Sequence, residues 1–326
     1  MKDELKKAWE YEREAQKRIP EGEKPLFHVT PPIGWMNDPN GFSFYQGKIH
    51  LFYQYHPYTR DWGPMHWGHS VSEDMISWEM MPVAMAPDQE YDRMGCFSGS
   101  AIEKDGKHVL VYTGVSKQNM PDGTTEERQN QCIAYGDGIA YNKCEHNPVI
   151  TGDMLPDGCN RIDFRDPKVW KKGDTYYLVV GNKNKDEKGQ VVLFSSDDLE
   201  NWKFETVLAE NTTGKIGTMW ECPDFFELDD SYFLICSPQN MKAEKYKFHN
   251  GHNSVYFSGK YNENTHEFQK EEAKLLDYGL DFYAPQTTEL PDGRRVLIAW
   301  MKSWDANMIP DDQIWQGMMT LPRELR

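Results

Sequence analysis

A short apolar strand recurs five times along this chain of 326 residues. The copies are IHLFYQY from Ile49, HVLVYT from His108, YYLVVG from Tyr176, YFLICS from Tyr232 and RVLIAW from Arg295. Their starts lie 59, 68, 56 and 63 residues apart, and each follows a tight turn such as Asp105-Gly106-Lys107 or Asp292-Gly293-Arg294. A period near sixty is too long for one hairpin and fits a small sheet of several strands. Repeated sheets of that size bury their faces by stacking around an axis, so the chain reads as all-β, a five-bladed β-propeller. An up-and-down barrel explains the spacing less well. A second element recurs in SEDMISW (Ser72–Trp78) and SSDDLENW (Ser195–Trp202) and reads as a turn closing the outer part of a unit. Helical patterning is confined to the start, where MKDELKKAWEYEREAQKR reads as a surface helix over 2–17. The expected division is a helical extension over 1–24 and the propeller over 25–326.

The repeat also gives meaning to WMNDPNG at Trp35–Gly41. Asn, Asp, Pro and Gly are ordinary turn residues, so Asp38 alone could be a turn acid. Ten or eleven residues before the five strand starts stand Asp38, Ser98, Asp166, Glu221 and Ala284. If the units are blades, these positions are equivalent and lead into the innermost strands, beside the axial channel. Three of the five then carry a carboxyl group to one mouth, which turn acids have no reason to do. Three acids in one pocket repel, so at least one pKa should be pushed up. Arg165, beside Asp166, is placed to offset part of that charge and keep Asp166 ionised. Such a cluster suits glycoside hydrolysis, in which one carboxylate attacks the anomeric carbon and a protonated one supplies the leaving oxygen with its proton. Asn37, Gln54, Ser98 and Gln286 could meet sugar hydroxyls, and Trp35, Trp62, Phe97 and Trp304 the apolar faces of the rings. Each of these aromatics could equally be core.

The motifs WMNDPNG, FYQYHP, WGPMHWGHSVSEDMISW, FSGSA, FRDPKV, WECPDFF, DFYAPQT and LPREL stand in order from about Phe27 to Arg326. Together they resemble glycoside hydrolase family 32, the invertase and sucrose-6-phosphate hydrolase group. The resemblance implies a retaining β-fructofuranosidase working through a fructosyl-enzyme intermediate. It implies Asp38 as the nucleophile, Asp166 as the acid that binds fructosyl hydroxyls in the transition state, and Glu221 as the general acid/base. Ligand contacts carry over to Asn37, Gln54, Trp62, Phe97, Ser98, Arg165 and Trp304. It implies no metal and no cofactor. Sucrose or sucrose 6-phosphate is the expected substrate, ahead of long fructans, and the wording of MWECPDFF and IDFRDPKVW is most similar to the bacterial sucrose-6-phosphate hydrolases. Lys183 and Lys185 are candidates for a phosphate contact. His56 stands where relatives usually have Asn. The family ordinarily continues past LPREL into a β-sandwich, so this chain reads as the propeller without it, with the last blade short of an outer strand and a sandwich-facing surface left uncovered.

A net charge of −16 argues against nucleic acid and anionic membranes as partners, leaving a small sugar as the expected one and the oligomeric state open. No stretch is apolar for long enough to cross a bilayer. The six cysteines show no CxxC pairing, which fits free thiols in a reducing cytoplasm. His66 and His69 form an HxxH without further ligands nearby in sequence. The rival readings are a sugar-binding propeller of little activity, a fructosyltransferase using the same three acids, a furanosidase acting on arabinose-type sugars, and a protein-interaction propeller.

Overall fold

The structure is a computed structural model that describes residues 3–306, 310 and 312–326. Blade I contains β1 (Gly34–Tyr45), β2 (Lys48–His56), β3 (His66–Ser72) and β4 (Glu79–Met85). Blade II contains β5 (Gly95–Lys104), β6 (Lys107–Asn119), β7 (Thr125–Gly136) and β8 (Tyr141–Lys143). Blade III contains β9 (Cys159–Lys172), β10 (Thr175–Asn184), β11 (Gly189–Ser196) and β12 (Lys203–Glu210). Blade IV contains β13 (Trp220–Leu228), β14 (Ser231–Pro238), β15 (Val255–Asn262), β16 (Glu267–Lys270) and the short β17 (Lys274–Leu275). Blade V begins with β18 (Tyr283–Glu289) and β19 (Arg295–Trp300). The chain then lends β20 (Trp315–Gln316) to blade I and returns as β21 (Arg323–Leu325), so blade V has three strands among the described residues.

The five repeated strands are the second strands of the blades, β2, β6, β10, β14 and β19. The first strands neighbour one another around the axis. The five marked segments therefore lie within the innermost strands rather than ahead of them. Five separate sheets exclude the barrel. Each junction between blades has its own apolar core. Phe52, Trp67 and Leu110 fill the first, Val111, Phe164 and Phe194 the second, and Leu193, Trp220 and Phe257 the third. Phe226, Ile235 and Leu297 fill the fourth, and Phe42, Leu51 and Ile298 close the ring.

The Ser-acid-Asp element closes blades I and III as expected. Asp74 Oδ1 accepts the backbone N–H groups of Ile76 and Ser77, and Asp198 Oδ1 those of Glu200 and Asn201. Asp137 and Asn262 build the same turn in blades II and IV, where the surrounding sequence hides it. Helix α1 spans Asp3–Ala15 and tightens into a 3-10 turn at Gln16–Arg18. Residue 2 of the expected helix lies outside the described residues. Ala8, Glu12 and Ala15 form its buried stripe, and Trp9 Nε1 donates to Val83 O of β4 at 2.9 Å.

Candidate active site

Each innermost strand breaks its pairing with the second strand at the same place. The shifts fall between Met36 and Pro39, Phe97 and Gly99, Glu221 and Asp224, and Tyr283 and Gln286, and opposite Val179–Gly181 in blade III. A bulge leaves residues unpaired and re-aims their side chains. Here it is set by proline, which has no N–H for the ladder: Pro39, Pro167, Pro223 and Pro285, with Gly99 in blade II. The residue before proline turns left-handed in three blades, at Asp166 (φ 65), Cys222 (φ 48) and Ala284 (φ 51).

Aligning the prolines yields two adjacent seats per blade. The seat directly before proline holds Asp38, Ser98, Asp166, Cys222 and Ala284. The seat one residue earlier holds Asn37, Phe97, Arg165, Glu221 and Tyr283. Glu221 is thus one position out of step with Asp38 and Asp166, which corrects the equivalence drawn from the repeat. The cause lies in the hairpins. Blade I carries a second bulge at Gly41–Phe42, and blade V a longer Leu290–Arg294 turn, so eleven residues separate seat and strand there. Blade IV has neither, and ten residues lead back from Tyr232 to Cys222.

The three carboxyl groups nevertheless meet. Asp38, Asp166 and Glu221 line one cleft of about 320 Å³ together with Gln54, Trp62, Phe97, Ser98, Arg165 and Trp304. Trp35 and Asn37 stand behind this wall. Trp35 Nε1 donates to Asn37 Oδ1 at 2.7 Å, and Asn37 Nδ2 donates to Asp38 Oδ1 at 3.0 Å. Ser98 Oγ donates to the other Asp38 oxygen at 2.7 Å. The Cys222 thiol lies 3.6 Å from Asp38 Oδ2 and 3.5 Å from Asp166 Oδ2, and its N–H donates to Asp166 Oδ2 at 2.9 Å. Cys222 therefore fills the space between the two aspartates.

Arg165 does not serve Asp166 as expected. Its Nε and Nη2 each lie 3.0 Å from Glu221 Oε1, and its Nη1 2.9 Å from Asp163 Oδ1. Its strand seat points it along the ring toward the matching seat of blade IV. Tyr283, in that seat in blade V, places its hydroxyl 2.6 Å from Glu221 Oε2. Burial first, and then the charge of Glu221, push Asp166 up to about 7, with Arg165 offsetting only part. The same two causes push Asp38 up to about 6 against the hydrogen bonds of Ser98, Asn37 and Cys222.

Gln286 is not at the cleft wall. Its Oε1 accepts Phe42 N–H at 2.8 Å and its Nε2 donates to Gly99 O at 3.0 Å, tying blades V, I and II below the site. Lys168 and Asp224, in the same ring position, form a buried pair at 3.2 Å. Lys183 is held by Asp163 Oδ2 at 2.9 Å and Glu187 Oε2 at 2.5 Å. His56 reaches the rim indirectly, through Pro64 O at 3.2 Å, in the loop that carries the half-exposed Trp62. Trp62 stands edge-on to Phe97, and Trp304 stacks on Trp35 with ring centres 5.8 Å apart.

Glu127, Gln129, Asp163, Gln239 and His252 also line the cleft and were not expected there. Strand alternation could have found three of them. Glu127 and Gln129 share a face of β7, and Asp163 shares a face of β9 with Arg165. Gln239 and His252 sit in a long irregular connection that carries no such signal. Of the HxxH pair, His66 Nδ1 bonds Pro64 O and His69 Nε2 bonds His50 Nδ1, on opposite faces of β3. Metal-type ligands do gather elsewhere, in Cys144, His146 and Glu200 at the outer edge of blades II and III, where His146 Nδ1 already lies 2.8 Å from Glu200 Oε2.

Fold and cleft together define a propeller with an acidic, aromatic-walled carbohydrate-type site. Residues 28–326 match the glycosyl hydrolases family 32 N-terminal domain. A sucrose-6-phosphate hydrolase of Escherichia coli is 44% identical over 302 residues, covering 92% of this chain and 62% of that protein. A sucrose-6-phosphate hydrolase of Zymomonas mobilis is also 44% identical, over 98% of this chain and 63% of its own length. A GH32 beta-fructofuranosidase of Bombyx mori superposes with a TM-score of 0.90 at 40% identity, covering 99% of this chain and 67% of that one; a mutant of it was solved in complex with sucrose. The chain belongs to glycosyl hydrolase family 32. It spans about three fifths of the length of the curated relatives it matches.

Proposed function

We propose that this chain carries the active site of a retaining β-fructofuranosidase acting on sucrose or its 6-phosphate. The observation that carries the reading is the meeting of carboxyl groups from blades I, III and IV in one cleft. In this reading Asp38 attacks C2 of the fructosyl unit, while Glu221 gives its proton to the departing oxygen. The C2–oxygen bond breaks as the Asp38 ester forms. Water then enters, loses a proton to Glu221 and displaces Asp38 with net retention. Asp166 binds the fructosyl hydroxyls, and Cys222 keeps the two aspartates apart. Arg165 and Tyr283 hold the Glu221 carboxyl between them, so a long flexible side chain meets the leaving oxygen in one orientation. Trp62, Phe97 and Trp304 offer apolar faces to the sugar rings. The six free cysteines support a reducing, cytoplasmic setting.

The test is fructose release from sucrose by the purified chain and by Asp38→Asn and Glu221→Gln. Each substitution is expected to lower kcat by about a thousandfold or more with the fold intact by circular dichroism. Wild-type activity surviving in either variant removes that residue from its role. Binding without turnover by the unsubstituted chain favours a sugar-binding propeller instead.

A further inference from the structure

Two of the relatives named above are called hydrolases of a phosphorylated sugar, yet the charges of this cleft oppose an anion. Its described walls hold five carboxyl groups, Asp38, Glu127, Asp163, Asp166 and Glu221, against one guanidinium, Arg165. That guanidinium is already divided between Glu221 and Asp163. The remaining basic group in the wall, His252, faces Asp305 Oδ2 at 3.2 Å. The sequence candidate Lys183 sits behind the wall, bound by Asp163 and Glu187, so a phosphate would have to displace two carboxylates to reach it. Glu127 accepts a hydrogen bond from Gln129 Nε2 at 2.8 Å and has no cation partner among the described residues.

We infer that the site selects an uncharged β-fructoside and discriminates against sucrose 6-phosphate, with Glu127 as a specificity-determining residue. The inference rests on the fructosidase reading and narrows its substrate class. A phosphate monoester carries a charge of about −1.5 to −2 at pH 7. With Glu221 holding the catalytic proton, Asp38, Glu127 and Asp163 still outweigh Arg165, so a cleft that focuses their field repels that charge on approach and offers it no unpaired cation among the described residues. A neutral disaccharide meets the same walls as hydrogen-bond acceptors for its hydroxyls.

The experiment compares kcat/KM for sucrose and sucrose 6-phosphate on the purified chain, in about 20 mM and about 300 mM salt, because salt screens such repulsion. The expected result is a preference for sucrose of about tenfold or more at low salt, shrinking at high salt and in Glu127→Gln. Equal rates, or a preference for the phosphate ester, overturn the inference. So does a preference that neither salt nor Glu127→Gln changes, since that would be steric. If neither sugar is cleaved, the fructosidase reading falls, and titration of tryptophan fluorescence with both sugars then decides the charge question. Tighter, salt-sensitive selection of sucrose upholds the discrimination; equal binding, tighter phosphate binding or no binding of either overturns it.

Discussion

Burial first, and the charge of Glu221 second, push the Asp166 carboxyl up to about 7. The unfolded chain releases that proton near the ordinary carboxylate value. Between those two points the native state holds more protons than the unfolded one, so stability is lost as pH rises through the window. The ionised group therefore weighs on the fold at neutral pH, on the order of a few kcal/mol. Asp166→Asn removes that load. It should raise the thermal midpoint by several degrees at pH 8 and change it little at pH 4, while activity falls. An unchanged midpoint at both pH values would show the charge to be relieved another way. Asp38 sets a second expectation. In the proposed role of nucleophile it must be ionised, so kcat/KM should drop about tenfold per unit below pH 6, following the carboxyl that burial lifts to about 6.

At the scale of the strand, three imidazoles meet between blades I and II. His50 Nδ1 lies 3.0 Å from His69 Nε2, and His108 bridges Ser43 Oγ and Tyr141 OH. Burial depresses all three, His50 to about 4, His108 to about 3 and His69 well below the ordinary imidazole value. They fold neutral. The unfolded chain binds their protons from about pH 6.5 downward, so stability should fall by about 1.4 kcal/mol per pH unit for each of them, until the native rings also protonate. Urea unfolding at pH 7 and pH 5 measures this. His69→Gln, which does not titrate, should flatten the slope by about one proton.

The same strands show what a reader of the sequence can and cannot extract. The second strands are legible because they are buried on both faces and repeat as apolar runs. The acids of blades I and III are legible from Asp-Pro at the bulge. Glu221 was located but misregistered, because a register depends on extra residues in hairpins that look alike in composition. The role of Gln286 was misread for a different reason. It shares the polar character of a ligand, but its position two residues past the bulge turns it into the floor that binds blades together. Arg165 was paired with its chain neighbour, whereas alternation along β9 aims it across the blade junction.

At the scale of the whole molecule, the ring is shut by a short parallel pairing. β20 lies along the start of β1, with Gly34 N–H donating to Ile314 O at 3.1 Å, and Met319 N–H donates to Val29 O at 2.9 Å. Gly317 makes this approach possible: its φ is +95°, and a Cβ there would lie 2.2 Å from Met36 O. Gly317→Ala should destabilise the protein by about 2–3 kcal/mol or more. Gly106→Ala is the control. Gly106 has a φ of +73° with nothing near a Cβ, so about 1–2 kcal/mol of conformational strain is expected there. Equal losses in thermal unfolding would mean that the closure tolerates the added atom.

Because each of the three acids comes from a different blade, the gap between Asp38 and Glu221 is spanned by no single sheet. It is a chord of the ring, and the girth of the ring sets its length. Blades that stay internally intact but drift apart would leave every strand paired and every side chain in its rotamer, yet put the two acids out of step. Mild heat or denaturant should therefore silence the chemistry before circular dichroism records any loss of strand. Whatever girdles the propeller from outside would then act on catalysis as a hoop acts on staves, without touching the substrate.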